Sequence, residues 1–276
     1  MGTSKAYGGP SNGLVPSFVD TPPAPTSPRP QPQVAPGSAP AQPASAPDTG
    51  AAGSFRGARA NFTRFARTSS RSSLGKAMSS YVRGGNGGAR RASRRMGSSQ
   101  AAARGLLGIV RDIQSQGAAQ TLRQLNLGGL AGQPAADVFV SLVEFLCPPG
   151  GSVDEGIARH AMMETITDMA EAGLGSFDTL SREQLNDMFL NFIAHSIEGR
   201  VIADLGHRGV QVSNDIAAVE HMQDELHDFI SGATRGQLAG RLEGIVSLSD
   251  RDIEQRVNQI YEAAFNLIAI AGEDVE

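Results

Sequence analysis

Apolar residues follow a helical period through most of the second half of the chain. From about residue 98 onward they recur every three or four positions, with polar residues between them. This spacing places the apolar side chains on one face of an α-helix. Runs that alternate over six residues with β-branched character, as strands do, are almost absent. The pattern predicts a mainly α fold, either an irregular helical bundle or two small helical lobes.

Capping and breaking residues divide this pattern into separate helices. We expect a helix capped by Ser98 or Ser99 that is interrupted at Gly117 and followed by a shorter piece. The remaining predicted helices are residues 135–146, residues 153–172, a helix capped by Ser181 with Gln184, one beginning at Ser213, a weaker one over residues 238–246, and a last one capped by Ser249 with Asp252. Because helix 135–146 is apolar nearly all round, we expect it to lie centrally in the core.

The first 54 residues lack this pattern. They hold twelve of the fifteen prolines, in a tract rich in Pro, Ala, Ser and Gln. Such a segment has little apolar surface to bury, so we expect a long disordered tail. Residues 1–20 differ from this tract, because they contain Tyr7, Leu14, Val15, Phe18 and Val19 around Gly8, Gly9 and Gly13. This pattern is typical of a short linear motif that docks in a partner's groove, although a tail without a specific partner is the simpler interpretation. Gly2 is small enough for Met1 to be removed, which would leave a free glycine amine.

Charge is distributed very unevenly along the chain. Residues 55–111 contain thirteen Lys and Arg residues and no Asp or Glu, interleaved with Phe55, Phe62, Phe65 and Tyr81. Residues 1–111 carry a net charge of +13, and residues 112–276 carry −17. This asymmetry indicates an anionic partner for the basic part, or a basic segment that lies on the protein's own acidic domain. We therefore divide the chain into a tail (1–54), a basic segment with short helices at residues 61–67 and 74–83 (55–97), and an acidic helical domain (98–276).

Within the basic segment, four arginines are spaced as neighbours on one helix face. Arg90, Arg91, Arg94 and Arg95 follow the glycine-rich break GGNGG at residues 84–88. If helical, they would form a broad cationic face able to contact the phosphates of a nucleic acid. The alternative is a solvated face, or one paired with acidic residues of the same chain. Both remain open because no nucleic-acid-binding fold signature accompanies the arginines.

Residues that could perform chemistry are few. The chain has no phosphate-binding glycine loop, no zinc-protease motif, no nucleophile elbow and no cysteine pair. His160 with Glu164 and Asp168 could perform acid-base work, but such groups are usually a solvated helix face. The same holds for a metal-like cluster formed by His221, Asp224, Glu225, His227 and Asp228. We therefore predict no catalytic, cofactor-binding or metal-binding residues, and a protein that is not an enzyme.

The environment of the protein follows from similar observations. The single cysteine, Cys147, excludes an intramolecular disulfide and fits a reducing compartment. Its place at an apolar helix end predicts a buried thiol. No apolar run approaches the length needed to span a bilayer. We expect a cytoplasmic protein that does not cross a membrane.

Taken together, several segments resemble the QatB family of bacterial Qat anti-phage systems. These are the opening MGTSKAYGGP with its Pro-rich tail, the FTRF sequence, the YVRGGNGGARRASRRMGSS block, and the helical remainder with its CPPGG break. The resemblance implies a non-enzymatic protein that works beside an ATPase, a QueC-like enzyme and a TatD-like nuclease. QueC-like enzymes activate a 7-deazaguanine carboxylate with ATP, and an amine then attacks it.

The resemblance also implies where such a modification would occur. The attacking amine in defence systems of this kind is the N-terminal glycine of a partner protein, which matches Gly2. Thr3, Ser4, Tyr7, Gly8 and Gly9 would then form the partner-binding motif around it. The protein would act as adaptor and as substrate of the QueC-like enzyme. A nucleic-acid-sensing subunit that uses Arg90, Arg91, Arg94 and Arg95 is the alternative.

Overall fold

A computed structural model describes residues 53–148, 150–206 and 216–275. Within these residues the secondary structure is helical and contains no strand. The α-helices are α1 (Arg56–Thr68), α2 (Arg71–Ser79), α3 (Ala89–Arg94), α4 (Gly97–Gln116), α5 (Ala118–Gln124), α6 (Ala135–Leu146), α7 (Val153–Glu171), α8 (Arg182–Gly206), α9 (Ile216–Ala239) and α10 (Asp250–Asp274). A π-helical turn, Ser80–Gly85, extends α2, and short 3₁₀ turns lie at Gly128–Leu130, Phe177–Thr179, Gly240–Leu242 and Ile245–Ser247. The predicted mainly α fold is confirmed.

One hydrophobic core holds these helices together. Helix α10 contacts α2, α3, α4 and α9, and α8 contacts α4, α7 and α9. Tyr261 of α10 is fully buried, and its hydroxyl lies 2.8 Å from the Ser196 hydroxyl of α8. A buried hydroxyl needs such a partner because leaving it unsatisfied costs free energy. The long helices α8 and α10 therefore form the centre of the bundle.

The basic segment contributes to the same core. Phe62 and Phe65 of α1 are each 1% exposed, and so is Tyr81 in the π-helical turn. The Phe55 ring stacks on Tyr81 with their centroids 5.3 Å apart. Aromatic side chains of this size bury much apolar surface. The aromatic residues between the arginines thus anchor this segment on the rest of the bundle.

Several arginines of residues 55–111 form ion pairs with acidic residues later in the chain. The pairs are Arg83 with Glu273, Arg95 with Asp204, Arg104 with Glu254 and Arg111 with Asp250, at 2.7–2.9 Å. One of the two explanations offered for the charge asymmetry, a basic segment lying on the protein's own acidic helices, is supported for these residues. Most of the pairs are exposed, so each adds little to stability.

Most predicted helix boundaries agree with the structure. Helix α6 has the predicted bounds, and α7 ends one residue before the predicted end. The predicted caps are present: Ser181 exchanges hydrogen bonds with Gln184, and Ser249 does the same with Asp252. The predicted helix start at Ser213 lies outside the described residues, and so do residues 1–52.

Three local predictions are wrong. Residues 238–246 do not form a separate α-helix, because α9 runs to Ala239 and 3₁₀ turns follow around Gly240 and Gly244. Ser98 and Ser99 do not cap α4, which begins at Gly97; Asp154 of α7 accepts a hydrogen bond from the Ser98 N–H instead. Helix α6 is not central: its outer side exposes 48% of Val140 and 66% of Phe145.

Candidate functional site

A cavity lies between helices α7, α8 and α9. Its volume is about 770 Å³. Val153, Ile157 and Ile202 line it together with polar side chains from all three helices. The polar residues are His160, Glu164 and Asp168 from α7, His195 and Glu198 from α8, and Gln223, Asp224, His227 and Asp228 from α9. The fold thus brings members of the two polar clusters, which the sequence predicts to be solvated helix faces, to one cavity.

His195 lies at the centre of a polar network in this cavity. Its Nε2 atom is 2.8 Å from Asp168 Oδ2, and its Nδ1 atom is 3.5 Å from Glu198 Oε2. The same Glu198 oxygen is 3.1 Å from His227 Nδ1. The two imidazole rings stack with their centroids 4.2 Å apart. Ligand atoms of His195, Glu198 and His227 all lie within 4.8 Å of one another.

Two opposing effects set the charge of this network. Burial lowers the pKa of His195, but its hydrogen bonds with Glu198 and Asp168 outweigh that effect and raise the pKa overall. Burial likewise raises the pKa of Glu198, whereas hydrogen bonds from both histidines lower it by more. The arrangement therefore favours an ionised carboxylate on Glu198 beside His195.

Two other His–carboxylate pairs, one on α7 and one on α9, are more exposed. His160 lies 3.5 Å from Glu164, and His221 lies 3.6 Å from Glu225; the two imidazoles are 66% and 62% exposed. Each of these pairs joins residues four apart on a single helix. They match the solvated faces that the sequence predicts.

Sequence reasoning missed His195 and Glu198. They stand three apart on α8, within the apolar run that contains Phe192, Ile193 and Ile197. A histidine and a carboxylate in an otherwise buried helix face are an observation that could have singled them out. Their convergence with His227 depends on how α8 packs on α9, and no local pattern contains that information.

The four arginines expected to form one cationic face are divided by the structure. Arg90, Arg91 and Arg94 are exposed, and within the described residues none of them forms an ion pair. Arg95 follows the end of α3 and turns inward. Its guanidinium forms hydrogen bonds with Asp204 and Asn86 at 2.7–2.9 Å and lies 5.3 Å from the centre of the Phe55 ring. The exposed surface is therefore made by three arginines.

The chain was compared with models of known protein families. A family model described as "Qat anti-phage system associated protein QatB" matches residues 87–268. The chain belongs to the QatB family. Searches of curated proteins and of solved structures gave no match. Membership in the QatB family gives the protein a role in the Qat anti-phage defence system, together with other components of that system.

The QatB match covers some of the candidate sites and not others. All of the cavity-lining residues and the α3 arginines lie inside the matched range. Gly2 and the motif formed by Thr3, Ser4, Tyr7, Gly8 and Gly9 precede it, and they also lie outside the described residues. Among the helices that the structure describes, none is long and apolar enough to cross a membrane.

Proposed function

We propose that the protein is a non-enzymatic adaptor of the Qat system and the substrate of a QueC-like partner, which joins a deazaguanine to Gly2. The folded helices would bind other components, an ATPase and a TatD-like nuclease among them. The observation that carries this proposal is the QatB family match, combined with a glycine at the second position of the sequence.

The chemistry favours the terminal amine over a lysine side chain. After loss of Met1, the α-amine of Gly2 would have a pKa of about 7.7–8.0, so a useful fraction is the neutral nucleophile near neutral pH. Lys5, at about 10.4, would be almost wholly protonated. The amine nitrogen attacks the activated carboxyl carbon, an amide bond forms, the activating group leaves, and the nitrogen loses a proton.

The distribution of apolar residues supports separate roles for the folded helices and for the N-terminal segment that carries Gly2. Nearly all buried apolar side chains of the described residues, from Ala58 to Ala269, belong to one cluster, so the described helices share a core of their own. The Pro-rich composition of residues 22–52 favours an extended chain that gives the N-terminus reach. An enzyme could then take Gly2 without unfolding the helices.

Phage-protection assays with a Gly2→Glu variant test the proposal. Glutamate at this position should retain Met1 and remove the acceptor amine, so we expect protection to be lost while the helical circular dichroism is unchanged. A Lys5→Ala variant is the matched control, because it removes the nearest other amine and should protect normally. Normal protection by Gly2→Glu would contradict the proposal.

The exposed arginines of α3 favour a second candidate function, nucleic-acid binding. Arg90, Arg91 and Arg94 have no ion-pair partner among the described residues, unlike Arg83 and Arg95 of the same segment. Three unpaired guanidinium groups can contact phosphates without first breaking internal ion pairs.

Binding measurements over a range of salt concentrations test this second candidate. Each lost phosphate contact should reduce the slope of log affinity against log salt by roughly 0.7–0.9. We expect Ala substitution of Arg90, Arg91 and Arg94 together to weaken binding at all sequences and to flatten the slope. Negligible binding by the unaltered protein at low salt would remove this candidate.

A further inference from the structure

We propose that His195, Glu198 and His227 form a binding site for a divalent transition-metal ion, with Zn²⁺ as the best-matched ion. The proposal does not depend on the modification of Gly2. It concerns the cavity between α7, α8 and α9, where these three side chains converge.

The donor spacing fits a tetrahedral metal site. Zn²⁺ binds imidazole nitrogen and carboxylate oxygen at about 2.0–2.2 Å, which separates neighbouring ligand atoms by roughly 3.3–3.6 Å. Glu198 Oε2 is 3.1 Å from His227 Nδ1 and 3.5 Å from His195 Nδ1. Small side-chain rotations would bring all three donors to bonding distance of one ion. The backbone of α8 and α9 already holds them together.

The Nε2 atom of His195 has an outer partner of the kind that metal-binding histidines use. Asp168 Oδ2 lies 2.8 Å from it, so an Nε2–H donated to Asp168 would leave Nδ1 free to bind the metal. Asp168 is held in turn by a hydrogen bond from the Asn191 side-chain amide at 3.3 Å, and Arg235 donates to Asn191 at 2.9 Å. In a metal-bound state this chain of contacts would hold the imidazole in that tautomer and orientation.

The donor set also indicates the class of metal. Two imidazoles and one carboxylate suit Zn²⁺ and related first-row ions, whereas Ca²⁺ and Mg²⁺ prefer sites made entirely of oxygen. Glu198 and His195 are only 13% and 11% exposed, so the ion would be well shielded. Three protein ligands leave a further coordination position for water or a bound ligand, as in open zinc sites.

Metal titration of the full-length protein tests the proposal. After treatment with a chelator, Zn²⁺ binding is measured by calorimetry, and Co²⁺ is used separately because its visible absorption reports tetrahedral coordination. We expect one ion per chain, and binding at least 100-fold weaker in His195→Ala, His227→Ala and Glu198→Gln. Asp168→Asn should weaken binding by roughly 10–100-fold, because it loses only the outer contact.

Matched controls lie beside the site. His160→Ala and His221→Ala remove exposed imidazoles of the same cavity and of the same α9 helix, and both should bind Zn²⁺ within twofold of the unaltered protein. Circular dichroism verifies folding, and Glu198→Gln, which keeps the side-chain shape, is decisive if an alanine variant fails to fold. Equal binding by Glu198→Gln and the unaltered protein would overturn the proposal. So would loss of binding only in the control variants.

Discussion

At the residue scale, Asp204 near the end of α8 joins the basic segment to the bundle. One carboxylate oxygen accepts a hydrogen bond from the Tyr81 hydroxyl at 2.9 Å, and both oxygens lie 2.9 Å from Arg95 nitrogens. Its backbone carbonyl accepts a further bond from Arg59 at 3.0 Å. Burial, followed by the charge of Asp204, raises the pKa of Tyr81, so this phenol remains a neutral donor.

Removing this carboxylate should destabilise the fold. Asp204→Ala would leave a buried phenol and a half-buried guanidinium without their partner, and we expect the free energy of unfolding to fall by about 2–4 kcal/mol. Glu273→Ala is the control, because its pair with Arg83 is also an Arg–carboxylate contact but both side chains are about half exposed. It should cost less than about 1 kcal/mol. Chemical denaturation measures both variants. An equal loss of unfolding free energy in Asp204→Ala and Glu273→Ala would show that Asp204 has no special role.

The buried Cys147 gives a second prediction at this scale. Burial raises the pKa of its thiol to about 11, although the Arg159 charge lowers it slightly, and the S–H lies 3.6 Å from the Ala158 carbonyl oxygen. Only the thiolate is alkylated, so at pH 8 the native protein should react roughly two hundred-fold more slowly than an unfolded chain with a pKa near 8.5. The rate should rise about tenfold per pH unit until near pH 11. Fast alkylation at pH 8 under native conditions would contradict this.

At the element scale, α2 and α10 approach unusually closely. A Cβ atom added at Gly272 would lie 2.3 Å from the Gly75 carbonyl oxygen and 3.0 Å from the Ser79 nitrogen. Both neighbours are backbone atoms, so side-chain rotation cannot relieve the clash. Glycines at this crossing therefore set the distance between the two helices.

Gly272→Ala should consequently destabilise the protein by about 1–3 kcal/mol, although alanine is the better helix former. Gly236→Ala in α9 is the matched control, because a Cβ there would meet nothing within 4 Å. That substitution should be neutral or stabilising by up to about 1 kcal/mol. Thermal unfolding of both variants checks the pair of predictions, and a stabilised Gly272→Ala would show that the helices can separate freely.

Helix boundaries could be predicted from the sequence where local chemistry decides them. The pairs Ser181 with Gln184 and Ser249 with Asp252 cap helices through contacts three residues apart. The start of α4 could not be predicted in this way, because the Ser98 N–H in its first turn donates a hydrogen bond to Asp154 of α7, which is far away in the sequence. The sequence predicts only a weak helix over residues 238–246, and the structure has 3₁₀ turns at Gly240–Leu242 and Ile245–Ser247 instead.

The candidate site could be predicted only in part, for the same reason. His227, Asp168 and their neighbours attract attention as polar groups on single helices, whereas His195 and Glu198 lie within an apolar run. The cavity exists because α7, α8 and α9 pack side by side. The prediction that four arginines share one cationic face is wrong for one of them. Arg95 lies beyond the end of α3, where its guanidinium donates to Asp204 and lies over the Phe55 ring.

At the scale of the whole molecule, the described helices from α1 to α10 share one core. Phe62, Phe65 and Tyr81 belong to the same core as α8 and α10. We expect limited proteolysis to leave a stable fragment that starts between residues 52 and 56 and runs to about residue 272, because a later start would uncover these aromatic side chains. A stable fragment that begins near Ser98 would mean that α1–α3 fold separately.

We propose that Gly2 becomes a covalent acceptor while the helical part remains unchanged. The most direct measurement is the mass of the N-terminal peptide after co-expression with an active QueC-like partner and its deazaguanine substrate. We expect a peptide that lacks Met1 and carries one deazaguanine acyl group on the glycine nitrogen, and an unmodified peptide when the partner is inactive. An unmodified glycine amine in the presence of the active partner would contradict it.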